Sequence, residues 1–139
     1  MTIKDRPPTK GKKVGIRDSE VASRPINYSQ EKPTFCLRYV DSEYCITSCE
    51  RDDKAAFAER IRQLSKMTWN QIILADRHGF GREKIPVNRL RRPLPRHITE
   101  DVTFFALRFS GLKPMVGYQT EGTFHVVWFD RDFTLYDHG

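Results

Sequence analysis

Residues 75–97, ADRHGFGREKIPVNRLRRPLPRH, carry seven Lys/Arg and two His against two acidic side chains. Arginine grips phosphate oxygens with a planar fork and lysine with a point charge. Histidine exchanges protons near neutrality because its unperturbed pKa is about 6.5. Within the stretch, Gly79 and Gly81 permit close backbone approach to a phosphate, with Arg77, His78, Arg82 and Lys84 around them. Arg89, Arg91, Arg92 and Arg96 continue the charge, and His97 ends the stretch. No GK[ST] closes it and no strand is expected before it, so it is not a P-loop. The expectation is a phosphate-gripping loop; the plainer alternative for His78 is a helix C-terminus with surface charge.

Two further histidines have chemical potential. His125 alternates with Val127 and Phe129, which places it on one face of a strand, and His138 stands beside Tyr136 and Asp137. Asp130, Asp132, Asp137 and His138 could together ligate Mg²⁺ and activate water. The D-x-D, however, sits in a turn-like stretch, where Asp is common for its turn chemistry. The reading adopted is therefore no metal and no cofactor. Cys36, Cys45 and Cys49 lack His partners at zinc spacing and form no CxxC. Reduced thiols in a cytoplasmic protein are expected.

The chain that must position these groups has 139 residues, 38% hydrophobic and 30% charged, with a formal net charge of +6. That length suits one domain. No apolar run approaches the roughly 18 residues of a membrane span. The first residues carry charge without an apolar core, so no secretory signal is expected. Residues 51–98 hold twelve Lys/Arg against five acids, and residues 99–139 hold three against six. A cationic middle favours an anionic partner on one face.

Residues 1–33, with Pro7, Pro8, Pro25 and Pro33 and no aromatic before Tyr28, read as a flexible basic arm. Folding is expected from residue 34 to residue 139 as one α+β domain. TFCLRYV, the turn DSE and YCITSC predict an N-terminal β-hairpin. DDKAAFAERIRQLSKM predicts a helix through Phe57, Ile61 and Leu64. TWNQIILA predicts a second helix opened by a Thr68/Gln71 capping box. After the basic loop, TFFALRFS, PMVGYQ and FHVVWF predict an antiparallel meander, with a short last strand in DRDFTLYDHG. The helices should pack on one face of the sheet. Trp69, Trp128, Phe104, Phe105 and Phe109 read as core, and Phe80 as partly exposed.

This order, with ALRFSGLKPMVGYQTEGTFHVVWFDRDFTLY at its end, resembles the RelE/ParE superfamily of bacterial toxins, which includes messenger-RNA-cleaving RelE and HigB types. The resemblance spans about residues 51–138. It implies a toxin of a toxin–antitoxin system, an endoribonuclease acting on messenger RNA without metal, at the ribosome or free, and restrained by an antitoxin protein. By position it implies catalytic roles for Arg108, Lys113, Arg131 and Tyr136, with His125 or His138 as proton carriers. Arg77, His78, Arg82, Lys84, Arg89, Arg91, Arg92 and Arg96 would hold RNA. Residues 1–50 and the proline-rich loop are additions to the family pattern, and Asp130, Asp132 and Asp137 stand where it is more basic. Metal-free RNA cleavage needs a base for the 2′-hydroxyl, cations for the phosphorane and an acid for the leaving oxygen. Two other readings are a non-catalytic nucleic-acid or ribosome-binding module, and a phage or plasmid factor that inhibits a host enzyme.

Overall fold

The computed structural model describes residues 27–137. Its centre is a five-stranded sheet in the order β1-β5-β4-β3-β2. The strands are β1 (Thr34–Cys36), β2 (Glu83–Ile85), β3 (Phe104–Ser110), β4 (Lys113–Thr120) and β5 (Thr123–Phe129), and the helices are α1 (Arg51–Leu64) and α2 (Trp69–Leu74). Strands β2 to β5 pair antiparallel, whereas β1 pairs parallel with β5, Phe35 facing Phe124. The fold is α+β, and α1 packs against β3.

Both faces of the sheet are covered, which explains why β3 is apolar on both sides from Phe104 to Leu107. On the first face Leu64, Trp69 and Ile72 of the helices meet Leu107, Phe109, Phe124 and Phe129. Among the described residues no α-helix covers the second face. Val87, Leu90, Leu94 and Ile98 of the proline-rich segment lie over Phe104, Ala106, Val116, Val127 and Trp128, with Leu135 and Tyr136 completing the layer. The expected basic loop is thus an amphipathic cover: apolar side chains point to the sheet while Arg89, Arg91 and Arg96 stay exposed. It also contains β2, whose residues alternate so that Glu83 and Ile85 face away from Lys84.

The Thr68 capping box forms as expected, with Gln71 N donating to Thr68 Oγ1 and Thr68 N to Gln71 Oε1. The N-terminal hairpin does not form. After β1 the chain leaves the sheet through two short 3-10 turns, Ser42–Tyr44 and Ile46–Ser48. Asp41 explains the difference: its side chain accepts from Glu43 N at 2.9 Å, a local turn that competes with strand pairing. The short last strand is also absent. The buried Asp130 carboxylate instead accepts from Thr134 N and Leu135 N at 2.7 and 3.0 Å, holding residues 130–135 in a turn.

The body begins before Thr34. Asn27 caps a 3-10 turn at Tyr28–Gln30, Pro33 is buried, and Glu31 O accepts from Trp69 N at 2.9 Å. The rest of the expected arm, residues 1–26, lies outside the described residues. A bulge interrupts β4 and β5 at Val116/Gly117. A Cβ on Gly117 would stand 1.9 Å from His125 O, so only glycine allows the strands to approach there.

A candidate anion-binding cleft

Alternation along β3 sends Phe104, Ala106 and Arg108 to the second face. Arg108 is 5% exposed. Its Nη2 lies 2.9 Å from Glu83 Oε1 on the neighbouring β2, and its Nη1 donates to Tyr136 Oη at 3.4 Å. Its Nε is buried without a hydrogen-bond partner. An unsatisfied donor of this kind is uncommon in a native interior and points to a missing acceptor. Tyr136 is 2% exposed. Burial pushes its phenol above the ordinary value, against a smaller opposing pull from Arg108, so the hydroxyl keeps its proton at neutral pH.

The loop after α2 forms the rim. Asp76 organises it, accepting from His78 N through its carboxylate at 2.9 Å and from Gly79 N and Gly81 N through its carbonyl at 2.9 and 2.8 Å. A Cβ on Gly81 would meet Ala75 O at 2.2 Å, so the fold of the loop depends on that glycine. From α1, Arg60 Nη1 donates to Gly79 O at 3.0 Å and to Arg108 O at 3.1 Å, with its guanidinium 4.6 Å over the Phe80 ring. One helical side chain therefore ties the His78 loop to the strand that carries Arg108. Phe80 is half-buried beneath it.

Together these elements enclose a cleft of about 450 Å³ lined by Arg77, His78, Glu83, Arg89, Arg108, Tyr136 and Asp137. Arg77 Nη1 reaches Glu83 Oε2 at 3.3 Å. The three arginines outnumber the two carboxylates by one formal charge.

The cleft brings together Arg77, His78 and Arg89 from the expected RNA-binding set with Arg108 and Tyr136 from the expected catalytic set. The other expected residues lie elsewhere. Lys113 is paired with Asp53 of α1 at 2.8 Å, and Ser110 Oγ donates to the same carboxylate at 2.8 Å. Arg131 sits 3.7 Å from Asp132 and donates to Glu43 O. His125 Nε2 is 2.7 Å from Thr120 Oγ1, its ring stacked on Tyr118 at 4.8 Å. His138 lies outside the described residues. Arg82 lies 3.9 Å over Phe105 and donates to Gln119. Arg92 is committed to Asp41, Nη2 to Oδ2 at 2.9 Å, and that carboxylate also accepts from Trp128 Nε1 at 3.2 Å. Lys84, Arg91 and Arg96 are exposed outside the cleft.

Glu83 was not expected at a site, and Asp137 was weighed only as a Mg²⁺ ligand. Glu83 reads in sequence as a lone acid in a basic loop; the alternation of Arg82-Glu83-Lys84-Ile85 was the available signal that it faces the same way as Ile85. Of the aspartates considered for Mg²⁺, Asp130 is engaged with backbone N–H groups. Among the described residues no three His, Cys, Asp or Glu side chains cluster as a metal site, and no helix is long and apolar enough to cross a membrane. Comparison with protein-family models, curated proteins and solved structures finds no match to this chain.

Proposed function

We propose that the protein is a RelE-like endoribonuclease of the toxin type, cutting messenger RNA without metal in the cleft around Arg108 and restrained by an antitoxin partner. The observation that carries this reading is the buried Arg108, whose Nε lacks an acceptor at the floor of a cleft rimmed by Arg77, His78 and Arg89. A phosphodiester oxygen supplies that acceptor. Arg108 then stabilises the negative charge that builds on phosphorus, and the rim arginines hold the neighbouring phosphates. Tyr136, protonated and 3.4 Å from Arg108 Nη1, donates to the leaving oxygen. His78 on the exposed rim, or Glu83 on the floor, takes the proton from the 2′-hydroxyl. Lys113, Arg131 and His125 have no part in this cleft.

The binding-module reading draws on one specific observation: Glu83 already occupies two of the cleft arginines. Induced expression in a bacterial host separates the two. A nuclease arrests growth and leaves cut transcripts, and Arg108→Ala relieves both while the protein accumulates folded. Growth arrest without cut transcripts, or cutting that persists in Arg108→Ala, would overturn the assignment.

A further inference from the structure

The opposite end of the second face carries four rings that the cleft does not use. Tyr118 on β4 and His125 on β5 are register partners with parallel rings, 4.8 Å apart at 17°. His97, from the covering segment, places Nε2 2.9 Å from Tyr118 Oη. Tyr39 lies on His97 with ring centres 4.0 Å apart, and 6.0 Å from His125. His97 is exposed and Tyr39 half-buried, so the stack reaches solvent rather than ending inside the core. Burial, with His97 beside it, holds the His125 imidazole below its ordinary pKa, which favours the neutral ring.

Beside the stack is a hollow of about 490 Å³ whose wall includes His97, Tyr118, Phe105, Thr103 and Gln119, and no carboxylate. Its size falls within the roughly 300–1,000 Å³ of small-ligand sites, and such sites combine aromatic walls with a few polar groups as this one does. Two arginines adjoin the ring stack. The Arg38 guanidinium is 5.8 Å from the Tyr39 ring centre, and Arg96, next to His97 in the chain, is exposed. Neither pairs with a carboxylate among the described residues. An exposed ring backed by further rings, beside arginines that no described carboxylate pairs, suits single-stranded nucleic acid, with a base on the π-face and phosphates on the cations.

We infer that this hollow and its ring stack bind one unpaired base of single-stranded RNA, with Arg38 and Arg96 on the phosphates either side. The inference rests on the reading of the ligand as RNA but uses none of the cleft residues. It adds a selection rule: the strand entering the cleft is single, because a base held in a paired helix cannot enter the hollow.

The test uses the full chain and a 2′-O-methyl RNA of roughly ten nucleotides, which lacks the hydroxyl needed for cutting. Fluorescence anisotropy compares the intact strand, the same strand with a central abasic position, and its duplex. The wild type should bind the intact strand about fivefold or more tightly than the abasic one, and more tightly than the duplex. His97→Ala should erase the difference between intact and abasic strands, and His97→Phe should restore it. Arg108→Ala should keep it. Equal binding of intact and abasic strands by the wild type would overturn the inference, as would a difference that persists in His97→Ala. A difference lost in Arg108→Ala but kept in His97→Ala would move base recognition to the cleft, leaving the nuclease reading intact. A difference lost in His97→Ala, from a protein that cuts no RNA, would support the base site and sink the nuclease.

Discussion

A guanidinium buried as deeply as Arg108 is stable only while its partners offset the lost hydration. Glu83 and Tyr136 do this in part, and the buried Nε is left without an acceptor. Glu83→Ala should therefore lower stability by about 3 kcal/mol, read by chemical denaturation. Added sulfate should restore more of that loss in the variant than it adds to the wild type; equal gains in both would mean that no anion reaches Arg108. Asp53 makes a different residue-scale prediction. Its hydrogen bonds from Lys113, ahead of the one from Ser110, hold its carboxyl below the ordinary range. The native carboxyl takes up a proton less readily than the unfolded one, whose pKa is about 3.9. The stabilisation is thus in place above that value and is lost as pH falls through the lower native one. Asp53→Asn should be less stable than the wild type at neutral pH, and the gap should close in acid. A gap that stays constant down to acid pH would show that the ion pair contributes nothing.

At the level of elements, the segment 86–98 illustrates what the residues disclosed and what they hid. Its charge was legible, but Val87, Leu90, Leu94 and Ile98 are spaced as on one helix face while Pro93 and Pro95 forbid a helix through them, so their common burial on the second face could not be read. The two helices and the three long strands were legible, because apolar spacing and the Thr68/Gln71 pair are local signals. The parallel edge strand was not, since pairing Thr34–Cys36 with Thr123–Phe129 depends on residues far apart in the chain. For the same reason Arg108 and Tyr136 could be named one by one, while the Glu83 that pairs with Arg108 could not. Arg92 shows the cost of reading charge alone: it looked like a phosphate ligand and is instead the clamp from the cover to Asp41. Asp41→Ala should destabilise the protein by about 2–3 kcal/mol by freeing the cover and stranding Trp128 Nε1. A denaturation midpoint unchanged from the wild type would refute that role. Thr68→Ala should cost about 1 kcal/mol through loss of the cap, and a Gln71→Ala background should reduce that loss.

Across the whole molecule, the positive charge divides into a structural part and a part free to meet a ligand. Arg60, Arg82 and Arg92 are spent on carbonyls, rings and carboxylates. Arg89, Arg91 and Arg96 stand exposed along one cover, Arg89 at the cleft and Arg96 next to His97 of the ring stack. Replacing these three with Ala should flatten the salt dependence of RNA binding, the slope falling by about one for each phosphate no longer neutralised, with stability unchanged. An unaltered slope would assign that charge to solubility. The proposed cutting of RNA at the Arg108 cleft by protein groups alone is to be measured as cleavage of messenger RNA by the purified chain in EDTA, with ribosomes supplied. The wild type should cut, Arg108→Ala should be slower by on the order of a hundredfold, and Tyr136→Phe should lose rate while keeping its affinity for RNA. Cutting that disappears in EDTA and returns with Mg²⁺, or that proceeds at the wild-type rate in both variants, would contradict it.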